Sequence, residues 1–478
     1  MATLTAPTFD PKTTATNLAQ LYVEGRQSIL TAQASYATSA SAALSQLSTA
    51  MKAFESALSS LNTKSSVLAN KATLSAEIGT ATATETAVAG TYTFYVKQLA
   101  VAGQIGYSNV GNVAVAGAND FKINLANGGS ITVDLTSADK DGNAVLSAQE
   151  IAAAVNTAAD NNSRVTASTM TINGATTLVF SSASTGTSNA IASLDLTNAG
   201  ADLNTQLADG NKTVMRAAAD AKINIGSAAG QEIVQASNTF TVVDGVSVTF
   251  TKAQGVGDTP VDITVGRDND GTAANLQSFI DSYNAVVKLL KDLTGKPGSG
   301  NTNKNAGVFA SDAGIVALRA RMQDVLRTAS GGKSLVNFGV TAQRDGTLAL
   351  DKTKMEKAIS LDATQLDAIL GGFTAPSGGT GVLGGMRALL YGWTALSRKV
   401  GVDPITNADI FAPGTLTQRT DAIGRMQKTT TDRQAALDRQ YEAAYQRYLK
   451  QFSQLQQLQS QLTGTSSMFD AMFSSDKS

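Results

Sequence analysis

Apolar side chains form two narrow stripes, one near each end of the chain. Leu44, Leu47, Met51, Phe54, Leu58, Leu61 and Leu68 step by 3, 4, 3, 4, 3 and 7, with Ser65 at the vacant seam position. Tyr441, Tyr445, Tyr448, Phe452, Leu455, Leu458 and Leu462 step by 4, 3, 4, 3, 3 and 4. Both follow the repeat of about 3.5 residues that marks a coiled-coil seam, narrower than the face a globular helix buries. Gln, Arg, Lys and Glu fill the positions between the C-terminal ones, so that helix has a solvated outer face and is no membrane span. A stripe without a core of its own needs a partner, because isolated helices are marginal. The two stripes are expected to bury each other; the alternative is that each packs separately onto a globular body.

From about residue 86 the pattern changes to alternation. TYTFYVKQL puts Tyr92, Phe94 and Val96 on one face of a strand, and FKINLANGGSITVDL is two alternating runs joined through Asn127-Gly128-Gly129. In NTFTVVDGVSVTF, Asp244-Gly245 is the two-residue turn of a hairpin. The β region ends near Arg267, after which Leu276, Phe279, Ile280, Tyr283, Val287 and Leu290 restore helical spacing. A polar loop at 295–307, a helix around Ile315 to Leu326, a hairpin turning at Asp345-Gly346 and short helices stopping at Gly371-Gly372 follow, then a Gly-rich loop at 371–385 and the helical tail.

Helix, long β insertion, helix: this order predicts an α+β multidomain fold with terminal coiled-coil helices, a mixed helical domain and two inserted antiparallel β domains. The expected boundaries are 1–43 with 436–478 for the coiled-coil leg, 44–85 with 269–435 for the mixed helical domain, 86–118 with 214–268 for an inner β domain and 119–213 for an outer one. The chain ends then meet at one pole of an elongated molecule.

Composition narrows the function. A chain of 478 residues is long for one core. With 37 basic and 38 acidic side chains its net charge is −1, so neither nucleic acid nor a membrane is an expected partner. It has no cysteine and no histidine, which removes disulfides, thiolate ligation, the usual general base and the commonest metal ligand. The start, MATLTAPTFDPKTTATN, lacks the basic and apolar regions of a signal peptide. Residues 27–51 carry no charge and are rich in Ser, Thr, Gln and Ala, which suits close packing among several helices.

Two motifs invite a ligand reading. GGKS at 331–334 ends like a phosphate loop, but the leading glycine would have to stand at Arg327. DKDGNAVLSAQE places Asp139, Asp141, Asn143 and Glu150 at positions 1, 3, 5 and 12 of an EF-hand-type calcium loop, with Ala144 where the turn requires glycine. Ala144 is expected to resist the left-handed backbone needed there. Ser147 and Glu150 read instead as a capping box opening the helix IAAAVN, with Asp139 and Asp141 solvated. No catalytic residue, cofactor or metal is therefore assigned, and the chain is read as non-enzymatic.

GTYTFYVKQLA (90–100), LQSFIDSYNAVVKLL (276–290), GVFASDAGIVALRARMQ (307–323), GVTAQRDGTLALDKTKM (339–355) and QLQQLQSQLTGTSSMFDAMF (454–473), taken in that order, resemble the flagellar filament cap family, hook-associated protein 2 or FliD. The resemblance implies a homo-oligomeric ring, a pentamer, at the distal end of the bacterial filament, where it promotes folding and insertion of flagellin subunits. It implies secretion through the flagellar type III export channel and a cytoplasmic export chaperone bound to the region Tyr441 to Phe473. Partner contacts are accordingly expected at Leu44, Leu47, Met51, Phe54, Leu58, Tyr441, Tyr445, Tyr448, Phe452, Leu455, Leu458, Leu462, Phe469 and Phe473. The family's Gly-Ser-Gly-Leu-Asp start is replaced by FDPKTTATNLAQL, with no glycine before Gly25. Two alternatives stand beside this reading: an extracellular adhesin binding a host or surface glycan through its β domains, and a hook-filament junction protein with the same helical termini.

Overall fold

A computed structural model describes residues 10–64, 66–296, 306–328, 330–372, 379–402 and 408–474, without the side chains of Asp470, Phe473 and Ser474. The chain divides into two compact units, Met1–Val67 with Ala273–Ser478, and Leu68–Thr272. The α+β class is as the sequence predicts.

The first unit is built on two long helices, Pro11–Asn62 and Thr415–Ser474. Asp10 caps the first by accepting from the Thr13 amide at 2.9 Å, and Pro11 stands at the position where a missing N–H costs nothing. One face of this helix is buried along its length, from Ala15, Ala19, Val23 and Leu30 to Leu44, Leu47, Met51, Phe54 and Leu58. Here the structure corrects the expectation that the two terminal stripes bury each other. Phe54 packs on Phe279 and Tyr283 of the helix Asn269–Thr294, with ring centroids 5.8 and 6.1 Å apart, and neighbouring Glu55 pairs with Arg387 at 3.1 Å. Phe54 thus packs inside the unit's own core, and Leu44, Leu47, Met51, Leu58 and Leu61 of the same stripe are buried as well. A stripe shows that a helix has a partner but does not say which one, and the helix 269–294 is as apolar on its inner face as the C-terminal helix.

The remaining elements follow the sequence closely. Asp312 caps the helix Ala313–Leu326, and the strands Val340–Ala342 and Leu348–Leu350 turn through Gly346 at φ +87°. The helices Lys352–Leu361 and Thr364–Leu370 stop at Gly371, whose φ is +61°. Two elements differ. A helix begins at Gly381, inside the stretch read as loop, because Val382, Leu383, Met386, Leu390 and Trp393 bury together in spite of its glycines. A ribbon of Arg398–Val402 and Asp409–Ala412 was not foreseen; Phe411 and Ile410 on it are exposed, so it lacks the one-sided alternation that marks a packed strand.

In the second unit strands begin at Ala69, earlier than the alternation near residue 86 suggests. Ala69–Leu74 and Gly79–Ala83 are spelled ANKATL and GTATA, with hardly a bulky side chain to reveal them. An antiparallel sheet runs in the order Ala69–Leu74, Val261–Asp268, Gly90–Gln98, Ala221–Ile225, Glu232–Gln235. The Asp244-Gly245 hairpin forms as its turn requires, pairing Val243 with Val246 and holding Gly245 at φ +72°. Phe94, Val96, Ile223, Phe240, Phe250 and Ile263 make the core of this part. A separate core draws on residues between Ile105 and Leu207, where Tyr107 meets Phe180 edge to face at 6.0 Å. Its helix, Ala148–Thr157, buries Ile151 and Val155.

Candidate functional site

The terminal helices do pair, in an antiparallel register that the heptad stripes do not indicate. Val23 and Leu30 of the first pack with Leu437 of the second, and Tyr441 joins the cluster. Arg26 donates to Gln440 at 2.7 Å and Gln434 to Gln27 at 2.8 Å. The signal for this seam is present in the sequence: Val23, Leu30, Ala37, Leu44, Met51 and Leu58 recur every seven residues, but Ala37 is too small to register as apolar stripe. One face of the first helix therefore serves two partners in turn, the C-terminal helix at Val23 to Leu30 and the inner core at Phe54.

Along the C-terminal helix burial fades with distance from this seam. Tyr441, Tyr445, Tyr448 and Phe452 are half-buried, and the rings of Tyr441 and Tyr445 stack at 6.5 Å. Leu455, Leu458 and Leu462 are exposed, Leu462 to 62%, and so is Phe469 at 55%. These four share one helical face by their spacing. No charge falls between Lys450 and Asp470, so the exposed face is flanked by Gln, Ser and Thr with Gly464 and Met468. Phe473 has its side chain outside the described residues. Of the residues expected to carry partner contacts, then, Leu44 to Leu58 are committed to the chain's own core, Tyr441 to Phe452 lie at the edge of the terminal pair, and Leu455 to Phe469 present an apolar face to solvent. The chemistry such a face offers is hydrophobic docking of another helix.

Among the described residues no helix is long and apolar enough to cross a membrane. The GGKS segment is a polar turn in which Lys333 pairs with Asp362 at 3.3 Å.

The 139–150 loop departs from its reading in two respects. Ala144 does take the left-handed backbone, at φ +64°, and the oxygens of Asp139, Asp141 and Glu150 gather within 4.8 Å of one another. Asp139 and Asp141 are not simply solvated. Asp139 accepts from the amides of Gly142 (2.8 Å) and Ala144 (3.0 Å), and Asp141 from the amide and side chain of Asn143 (3.1 and 2.8 Å). These short loop bonds hold Ala144 in a conformation its Cβ disfavours. The capping box forms as expected: the Glu150 amide donates to Ser147 Oγ at 3.3 Å, and Glu150 Oε2 accepts from the Ser147 amide at 2.9 Å. The Ser147 amide, then the Lys140 amide, hold the Glu150 carboxyl below its ordinary range.

The chain matches the family description "flagellar hook-associated protein 2 C-terminus" over residues 218–464 and its N-terminal counterpart over residues 8–103. The first match alone covers more than half of the sequence. The chain belongs to the flagellar hook-associated protein 2 family. It is similar to the lateral flagellar hook-associated protein 2 of Vibrio parahaemolyticus, 31% identical over 398 residues that make up 82% of this chain and 83% of the relative. It is also similar to the B-type flagellar hook-associated protein 2 of Pseudomonas aeruginosa, 28% identical over 404 residues, 80% and 78% of the two chains. Its fold is similar to that of the D1-D2-D3 domains of the flagellar cap protein FliD from Escherichia coli, with a TM-score of 0.55 at 22% identity over 80% of this chain and 99% of that one. The resemblance carried by the five segments is thus family membership. Hook-associated protein 2 is a structural, non-enzymatic flagellar family.

Proposed function

We propose that the chain assembles as a ring, a pentamer, on the distal end of the filament, and that the ring promotes folding and insertion of flagellin arriving beneath it. The observation that carries the reading is the uncovered apolar face of Leu455, Leu458, Leu462 and Phe469, at the end of a helix whose earlier turns are paired. An apolar face of this length on a water-surrounded helix is a cost unless another helix covers it, and assembly supplies that cover. On this reading the chain leaves the cell through the flagellar type III export channel, with a cytoplasmic chaperone shielding the same C-terminal face before export. The division read from the sequence into terminal legs, a mixed helical domain and two β domains belongs to this proposal, with the strands from Ala69 onward counted to the β part.

A strain lacking the chain tests it. Such cells are expected to be non-motile, with hooks but no long filaments, and to release flagellin monomer into the medium. Long, normal filaments in that strain would sink the proposal.

A further inference from the structure

The paired terminal helices carry a groove along one side. Two contiguous cavities of about 300 and 690 Å³ share Ile29, Gln33 and Arg433 among their walls, so they run into one another. Tyr22, Ile29 and Tyr36 step by seven along the first helix and so share one face, beside the buried seam of Val23 and Leu30. All three are exposed, as is Met426 across the groove. A second stripe of the same period stands uncovered on the same chain: Leu455, Leu462 and Phe469 also step by seven. Each stripe sets three bulky side chains along about 21 Å of helix, at a rise of about 1.5 Å per residue.

The tail of a chain cannot reach that chain's own groove. Arg26 stands opposite Gln440 in the antiparallel pair. Continued residue for residue, this register brings Leu455 level with Pro11, the first residue of the first helix, and carries Leu462 and Phe469 past it. The helix Thr415–Ser474 is unbroken, so its tail runs away from residues 22–36. Charge admits a tail from elsewhere. Arg26, Arg425 and Arg433 line the groove, and residues 451–469 bring no cation against them. Gln456, Gln459 and Gln461 offer side-chain oxygens that accept from guanidinium N–H groups.

We infer that the groove of one copy receives the tail stripe, Leu455 to Phe469, of a second copy, as the third helix of a bundle. Groove and tail are separate parts of one chain, so the contact is heterologous: each copy gives its tail to one neighbour and takes the tail of the other. Contacts of that kind close into a ring when the rotation between copies permits. This inference rests on the ring reading above and names the contact that would build it.

The chain has no cysteine, so introduced thiols report the contact without background. Ile29 and Leu462 are the middle members of their stripes and come level whichever way the tail runs. Full-length Ile29→Cys protein mixed with full-length Leu462→Cys protein under mild oxidation is expected to give more mixed disulfide dimer than both homodimers together, with helicity by circular dichroism as the check on folding. Coupling chiefly between two Leu462→Cys chains would show tails bundled with one another and overturn the groove contact. Ile29→Lys with Tyr36→Lys adds charge that a neutral tail cannot offset, and in sedimentation should raise the midpoint concentration of assembly about tenfold or more. Assembly of that variant at the wild-type concentration likewise overturns the groove contact, while leaving a ring held by other faces. A wild-type chain that stays monomeric at every concentration overturns the ring reading itself, and the groove contact with it.

Discussion

Arg419 holds Asp312 by two hydrogen bonds, from Nη2 to Oδ1 at 2.5 Å and from Nε to Oδ2 at 3.1 Å. The same carboxylate caps the helix Ala313–Leu326 by accepting from the Ile315 amide at 3.0 Å, and the guanidinium lies over the Trp393 ring, 5.4 Å from its centroid. Three elements of the helical unit are thereby tied at one point, roughly three-quarters buried. Arg419→Ala is expected to cost about 1–3 kcal/mol, more than an exposed pair because the carboxylate keeps its burial and loses its partner. Burial alone would raise the Asp312 carboxyl, but the Arg419 and Ile315 hydrogen bonds outweigh it and the group titrates below its ordinary value. A depressed carboxyl stabilises the fold above its unfolded value and loses that contribution as pH falls through the folded one. Denaturation followed from neutral pH into the acid range should therefore show a shallower loss in Arg419→Ala than in the wild type; parallel curves would remove the pair from the acid response.

The seam of the terminal pair makes a second prediction. Leu437 is 4% exposed beside Val23 and Leu30, and Leu437→Ala is expected to destabilise the pair by about 2–3 kcal/mol, the low end for a buried leucine because the seam is only two helices wide. Leu462→Ala, on the exposed turns, should change monomer stability by less than about 0.5 kcal/mol. Thermal unfolding of dilute protein measures both, and equal effects would contradict the burial gradient.

Phe54 belongs to a different core, and its loss should be felt there. It is fully buried against Phe279 and Tyr283, so Phe54→Ala is expected to cost about 3–5 kcal/mol. Hydrogen exchange should localise the loosening to the helices 11–62 and 269–294, with protection in the β strands unchanged.

At the 139–150 loop the left-handed Ala144 stores strain. Replacing it with glycine removes about 1–2 kcal/mol of steric penalty and gives back about 0.4–1 kcal/mol through a freer unfolded chain, so Ala144→Gly should stabilise the protein by about 0.5–1 kcal/mol. A lower melting temperature in that variant would show that the loop does not hold Ala144 as described. Glu150→Gln should flatten the acid side of the stability profile, since the depressed carboxyl supports folding above its unfolded value and ceases to as pH drops through the folded one.

Local chemistry was readable from the amino acids and long-range partnership was not. Asp244-Gly245, Asp345-Gly346 and the Ser147–Glu150 box each specify their geometry within a few residues, and all three form. The spacing of Leu276 to Leu290 likewise defines one helix face, and that face is buried. What covers a face depends on residues hundreds of positions away, which is why Leu44 to Leu58 could be recognised as a seam yet assigned the wrong neighbour. Alanine hid the rest: Ala15, Ala19, Ala37 and Ala40 are fully buried, but their pattern carries no hydropathy contrast in a helix full of Ala, Ser and Thr. The apolar face of the tail was legible as a face, because Leu455, Leu458, Leu462 and Phe469 repeat at helical spacing in a stretch without charge, and those residues are exposed.

Arg26 and Gln440 meet although they stand 414 positions apart in the chain. At a synthesis rate of about 5–20 residues per second, the first half of this seam waits on the order of half a minute for the second to be made. Closing so long a loop adds little to the equilibrium cost, which grows only logarithmically with length, but it orders events in time. The β unit and the inner core, whose sequences are complete earlier, can settle while Val23 and Leu30 are still without Leu437. The terminal pair is the last joint to close and the first that a binder of either end would hold open.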